Sequence, residues 1–138
     1  MVSTNTVFDA FIQAHRWAVL THLKRGGGPA SSVVAYAVEG GSIVVSTPGK
    51  TFKRQAMERD PRVNLCVINN QEPFNFVSIE GAVTIETEHL EDSTRRVFEN
   101  IEAVGYALPE NLGQWLKASE RVILRIAPKH FHGVIRSS

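Results

Sequence analysis

Cysteine is nearly missing from this chain: Cys66 is the single one, so no internal disulfide can form. It lies in the apolar run Val63–Ile68 and reads as a small buried hydrophobe rather than a reactive thiol. An excess of charge of one sign is missing too, since 15 Lys and Arg face 14 Asp and Glu for a formal net charge of +1. Bulk electrostatic binding of nucleic acid normally shows as a strong basic excess, so the balance argues against that class. No apolar run approaches the ~20 residues of a membrane-spanning helix, and the N-terminus lacks the apolar core of a signal peptide. The expectation is a cytoplasmic protein with neither nucleic acid nor membrane as partner. Repeats, low-complexity tracts and linkers are also absent, so residues 1–138 read as a single domain. The 138 residues suffice for a real core, since chains near ~150 residues bury roughly 68–70% of their unfolded surface.

One more absence shapes the functional reading. Gly49-Lys50-Thr51 spells the end of a nucleotide-triphosphate loop, but that motif needs another glycine where Val44 stands. The loop is therefore too short to wrap a triphosphate, and a single phosphate fits better. What is present is Thr47-Pro48-Gly49-Lys50-Thr51-Phe52-Lys53-Arg54, which follows the strand-like Ser42–Ser46 and leads toward Arg59-Asp60-Pro61. The pattern predicts a short helix opening in this stretch, with Pro48 suited to its first turn. A helix start offers free N–H groups and a positive dipole end to an anion. Lys50, Lys53 and Arg54 are spaced to share a helical face and converge on it. A solvated basic face on an ordinary capped helix is the plainer alternative.

Periodicity supplies the rest. Phe8, Phe11, Ile12 and His15 mark an amphipathic helix, and Trp17–Leu23 a strand closed by Gly26-Gly27-Gly28-Pro29. Ser31–Val38 and Ser42–Thr47 are two further strands joined through Gly40-Gly41 as a tight hairpin. Val63, Leu65 and Val67 alternate after Pro61. The run Phe74–Glu88 sets Val77, Ile79, Val83 and Ile85 against Ser78, Glu80, Thr84 and Glu86, the mark of a half-buried antiparallel strand. Leu90, Val97, Phe98, Ile101 and Val104 predict a helix. A second helix is expected from Pro109, with Leu112, Trp115 and Leu116 as its apolar face. Val122, Leu124 and Ile126 form a late strand, and His130–Ile135 a terminal one. Hairpin-linked strands dominate, which points to a small antiparallel barrel with helices on its openings. Such a barrel fills its own interior, so a sizeable ligand is expected outside it, at the seam between two subunits.

Other polar residues carry weaker signals. His130 and His132 alternate on one strand face, but two histidines without further ligands do not make a zinc site, and no metal is expected. His15 and His22 read as structural, and Trp17 and Trp115 as core or interface residues. Arg121 and Arg125 share a strand face and are expected to pair with the acidic face Glu80–Glu86. Tyr36 fits either a packed barrel position or the border of a substrate cavity.

Taken in order, these segments resemble the pyridoxamine-phosphate-oxidase-like split-barrel flavoproteins, and most closely the short branch that uses the deazaflavin coenzyme F420. Phe11 with Arg16-Trp17-Ala18-Val19-Leu20-Thr21 resembles the family's first helix and strand. Gly28-Pro29 with Ser32, Val34 and Tyr36 resembles its second strand, and Ser46-Thr47 with Lys53 its phosphate-binding turn. Arg59-Asp60-Pro61-Arg62-Val63, Pro73-Phe74 and Val77 through Glu80-Gly81, and Arg121 onward to His130-Phe131-His132-Gly133 are similar to its later segments. The resemblance spans roughly Phe8 to Val134.

It implies a mainly β fold, an antiparallel split β-barrel of the FMN-binding type with flanking helices, assembled as a homodimer with cofactor sites at the interface. It implies an oxidoreductase that transfers a hydride from coenzyme F420 to a planar conjugated small molecule, with FMN as the alternative cofactor. A non-catalytic cofactor- or haem-type binding module is the alternative of another class. The implied binding residues are Ser31, Ser32 and Val33 along the ring, and Ser46, Thr47, Lys50, Thr51, Phe52 and Lys53 around the phosphate. No catalytic side chain is required, because the cofactor carries the hydride chemistry. The family often has an arginine two residues before the lysine. Thr51 stands there instead, and Lys50 is the nearest replacement charge. The chain also lacks the C-terminal extension of the true pyridoxamine-phosphate oxidases.

Overall fold

Tight turns decide the first half of the chain. The computed structural model describes residues 2–136. Helix α1 (Thr6–Ala14) is capped by Asn5, whose side chain accepts from the N–H groups of Val7 and Phe8. Strands β1 (Trp17–Leu23), β2 (Pro29–Glu39) and β3 (Ser42–Pro48) follow. The two-residue turn Gly40-Gly41 joins the last two, with Gly40 at φ 62°, a left-handed value that a glycine takes without strain. Helix α2 (Phe52–Arg59) leads to β4 (Arg62–Ile68) and β5 (Phe76–Glu86). Helix α3 (Glu91–Ile101), a short 3-10 turn (Glu102–Val104), α4 (Leu112–Ala118) and β6 (Arg121–Val134) complete the order.

The strands close a six-membered antiparallel barrel in the order β1-β2-β3-β6-β5-β4, with β1 pairing both β2 and β4. Alternation along each strand sends one face inward. Leu20, Tyr36, Val45, Leu65, Ile79 and Leu124 belong to the interior core and are fully buried. A second cluster forms outside the wall, where Val44 and Ile123 lie under Val97 of α3 and Leu112 and Leu116 of α4. Exposed apolar side chains, Trp17, Val33 and Ile68, stand on the outer faces of β1, β2 and β4.

The barrel wall is not uniformly paired. The β2–β3 ladder runs only from Glu39↔Ser42 to Tyr36↔Val45. Beyond it, Pro29–Ala35 pairs with β1 alone, and Ser46–Pro48 with β6 alone. The two strands part at one end, and α2 begins three residues after β3 ends there.

Tyr36 resolves in favour of packing. Its hydroxyl donates to the Ile12 carbonyl oxygen at 2.6 Å, tying α1 to the barrel. Burial pushes its phenol well above the ordinary range, against the opposing effect of the Arg16 charge.

Several boundaries differ from the expectation. The two late strands are one, β6, because Pro128 sits where the β5–β6 register shifts opposite Glu80 and Gly81. A bulge is a position where a strand tolerates a proline. Helix α4 starts after Asn111, whose side chain accepts from the Gln114 N–H at 3.2 Å, and not at Pro109. Pro48 ends β3 instead of opening a helix. Arg125 does pair with Glu86, at 3.0 Å, and also reaches Glu39 at 2.8 Å. Arg121 does not join that network.

Candidate functional site

Gly49 fixes the geometry of the β3–α2 turn. Its N–H donates to the Glu120 carbonyl oxygen at 2.6 Å, and a Cβ at this position would lie 2.3 Å from that oxygen. Only glycine allows so close an approach. The contact locks this turn against the one before β6, while Pro48 pairs with Arg121 across the ladder. Thr51 then caps α2, its Oγ1 accepting from the Arg54 N–H at 3.1 Å. The hydroxyl at the position where the family often carries an arginine is therefore spent on the helix start.

The expected convergence of Lys50, Lys53 and Arg54 does not occur. Lys50 precedes the helix, is exposed, and pairs with Glu120 at 3.3 Å. Arg54 turns back to Glu58 at 2.9 Å and to the Gly49 carbonyl at 3.3 Å. Lys53 alone of the three has no carboxylate within ion-pairing distance among the described residues. It is half-buried, and burial, with the Arg121 charge beside it, holds its ammonium below the ordinary lysine pKa.

Arg121 is the charge nearest Lys53. Its guanidinium lies over the Trp115 ring, 4.6 Å from the centroid, a cation–π contact that fixes the side chain without neutralising it. Burial lowers its pKa from the usual arginine value. His22, buried on the inner side of β1, is lowered by burial first, then by Lys53 and Lys24. A buried cation without a counter-charge is costly, and Lys53 and Arg121 are two such cations side by side.

Unfilled hydrogen-bonding capacity is also found on the barrel strands. Among the described residues, seven buried side-chain polar atoms lack a partner, and four of them belong to His22, Ser32, Ser46 and Arg121. Buried polar groups are normally paired, so a cluster of orphans calls for a ligand or ordered water. Ser32 and Ser46 lie on the two strands that part, Ser32 on the inward face with Val34 and Ser46 on the outer face with Val44, and Arg121 stands opposite Pro48 on β6, two residues from the partner of Ser46. Lys53 and Arg121, with the Ser46 hydroxyl nearby on β3, make the donor set beside the helix start. It fits a phosphate group.

The remaining expected residues divide. Ser31 is exposed and its Oγ shares a hydrogen bond with Thr21 Oγ1 at 2.8 Å. Val33 points outward with 69% of its surface exposed, and Phe52 is 89% exposed. Thr47 is buried, on the inward face it shares with Val45. Cys66 is half-buried on the outer wall, and burial raises its thiol pKa, keeping it neutral. His130 and His132 are exposed, and His132 meets the Phe76 ring edge-on at 6.0 Å. No group of three or more His, Cys, Asp or Glu placed to hold a metal occurs among the described residues. No helix among them is long and apolar enough to cross a membrane.

Sequence reasoning missed Arg121 and His22 as members of this cluster. Each looks like an ordinary strand residue until the ladder and the Gly49 contact bring it to α2.

Solved structures share this architecture. A conserved hypothetical protein of Mycobacterium tuberculosis matches 100% of this chain over 92% of its own, with 23% identity and a TM-score of 0.74. An F420 reductase matches 91% of this chain over 95% of its own, at 17% identity and a TM-score of 0.73. An FAD-binding protein from Mesorhizobium loti matches 95% over 94%, at 18% identity and a TM-score of 0.68. At these identities the likeness is one of fold. No curated protein sequence matches the chain. The family model described as pyridoxamine 5'-phosphate oxidase matches residues 5–135, nearly the whole length, and the chain belongs to that family of split-barrel proteins.

Proposed function

We infer that the protein is a deazaflavin-dependent oxidoreductase acting on a planar conjugated small molecule. The cofactor phosphate is held by Lys53 and Arg121, with Ser46 as a hydroxyl donor. The observation that carries this reading is the pair of half-buried cations without carboxylates, near the orphaned Ser46 hydroxyl where β3 parts from β2. When bound, the cofactor supplies the hydride. The chain's own residues bind and orient it: Lys53 and Arg121 neutralise the phosphate, Trp115 holds the Arg121 guanidinium in place, and the Ser31–Val33 strand lies along the ring.

Magnitudes decide where the rest of the affinity comes from. Each charge-assisted hydrogen bond contributes about 1.5–3 kcal/mol. Micromolar binding needs about 8 kcal/mol after association costs. Burial of the planar ring supplies the remainder. A second copy of the chain, packed on the outer wall where Phe74 and Val134 are exposed, provides that burial in a homodimer.

FMN is the second reading, and one observation favours it. The basic track foreseen for the anionic tail of the deazaflavin is shortened, because Lys50, Arg54 and Arg62 each have a carboxylate partner. Arg59, Lys53 and Arg121 remain. A cavity of about 680 Å³ beside Arg121 is also lined by Glu91, Asp92 and Glu120. An oligo-anionic tail would meet those carboxylates.

Titration with deazaflavin, followed by its fluorescence, tests the assignment. Quenching at micromolar protein supports it, while co-purified yellow flavin with no deazaflavin binding selects FMN. Tight binding with no hydride transfer to any quinone, nitroaromatic or tetrapyrrole acceptor selects the non-catalytic binding module. A strictly monomeric protein in solution sinks the interface-bound arrangement.

A further inference from the structure

A second half-buried arginine, Arg16, also lacks a counter-ion. It stands between α1 and β1, far along the barrel wall from His22 at the other end of the same strand. No carboxylate among the described residues lies within ion-pairing distance of it, and its buried Nε has no hydrogen-bond partner. The arginines that serve structure in this protein are paired: Arg125 with Glu39 and Glu86, Arg96 with Glu39, Arg62 with Asp60, Arg54 with Glu58. Arg16 and Arg121 are the half-buried exceptions, and Arg121 belongs to the phosphate site already described.

Arg16 lines a cavity of about 440 Å³ whose walls include His15, Trp17, Val33, Ile68 and Val104, with Asn69 and Asn70 at the β4–β5 turn. The volume lies within the ~300–1,000 Å³ of ordinary small-molecule sites. Its chemistry is that of an aromatic slot with one cationic end. Trp17 is held on edge by Tyr106, with ring centroids 5.6 Å apart, so one wall is a fixed aromatic surface. Val33 connects the slot to the proposed ring position, because it lies two residues from Ser31 on β2, roughly 7 Å along the strand.

We propose that this cavity is the acceptor subsite and that it takes a flat, apolar molecule carrying a carboxylate, which Arg16 binds while Trp17, Val33, Ile68 and Val104 enclose the conjugated part. The assignment of the slot to the acceptor rests on the cofactor reading above. The binding of an aromatic carboxylate does not.

The test therefore uses protein without added cofactor and two matched probes, 2-naphthoate and its neutral analogue 2-naphthylmethanol, titrated by ligand-observed NMR. The wild-type protein is expected to prefer the carboxylate by at least about tenfold. Arg16→Gln abolishes that preference and leaves the affinity for the neutral probe unchanged, and Arg16→Lys retains part of it. Arg121→Gln leaves the preference intact, which separates the two cationic sites. Thermal melts of each variant identify any that fails to fold, and the wild-type comparison of the two probes stands without them. Equal binding of both probes, binding of neither, or a preference that survives Arg16→Gln overturns the proposal. A loss of subunit association in Arg16→Gln with the probe preference unchanged would assign the arginine to a subunit contact and overturn it too. Deazaflavin titration of Arg16→Gln separates the readings, since cofactor affinity depends on Lys53 and stays as in the wild type.

Discussion

Replacing Lys53 by methionine should make the ligand-free protein more stable and the ligand-bound one weaker, two effects of opposite sign. The substitution keeps the length of the side chain and its apolar stem, and removes only the charge. In the free protein that charge is half-buried, has no carboxylate partner among the described residues, and faces Arg121. Its removal relieves both desolvation and repulsion, a gain of about 0.5–1 kcal/mol by the scale of surface-charge optimisation. For a chain of this size that corresponds to a rise in Tm of roughly 2–4 °C. With ligand present the same change removes a charge-assisted hydrogen bond worth about 1.5–3 kcal/mol, or roughly ten- to 150-fold in Kd. The pH dependence follows from the same direction of shift. A lysine whose folded pKa lies below its unfolded value binds fewer protons when folded, so its contribution to stability grows as pH rises from the folded pKa to the unfolded one. Thermal melts of wild type and Lys53→Met across pH 7–10, with and without cofactor, read all three effects. A ligand-free variant that melts lower than wild type, with cofactor affinity unchanged, refutes the idea of an uncompensated cation awaiting an anion.

Other perturbations probe separate parts of the structure. Gly49→Ala places a methyl against the Glu120 carbonyl, 2.3 Å away, so calorimetry should show a loss of about 1–3 kcal/mol, with cofactor affinity reduced as Lys53 and Arg121 are levered apart. Burial works to raise the Glu39 carboxyl, but hydrogen bonds from Arg125 and Ser93 and the charges of Arg125 and Arg96 hold it below its usual range. Its share of stability is thus present above the unfolded carboxylate pKa and lost as pH falls through the folded one. In Arg125→Met the carboxyl resonance of Glu39, followed by NMR, should titrate at higher pH than in wild type. Phe74→Asp puts a charge on the exposed outer wall, where Phe74 is 45% exposed, and should shift sedimentation toward monomer if that wall joins two subunits.

Local chemistry made much of the fold legible. The alternation of Val77, Ile79 and Val83, the Gly40-Gly41 turn and the helix before Asp60-Pro61 are each decided within a few residues. Lys53 was legible for the same reason, as a basic residue in the first turn of that helix. What escaped depends on contacts between distant segments. Nothing near Lys50 reveals that Glu120 will neutralise it, and nothing near Arg121 reveals that Gly49 will dock beside it. Pro128 reads locally as the end of a strand, whereas its partner Gly81 leaves room for a bulge that carries β6 through.

The parting of β2 from β3 gives the closed barrel a pair of local edges. Strand edges expose main-chain donors and acceptors, which in other sheets invite another chain to pair with them. Here α2 follows directly on the parted end of β3, and the Arg121–Trp115 stack lies at the start of β6, the strand that pairs with that end. Recognition of a ring edge by backbone groups does not depend on side-chain identity. Exchange of Ser31 or Val33 for another residue leaves those groups in place, while a proline there or a shift of register removes them. On the proposed function, ligand binding is thereby written partly into the path of the chain, where single substitutions seldom reach it.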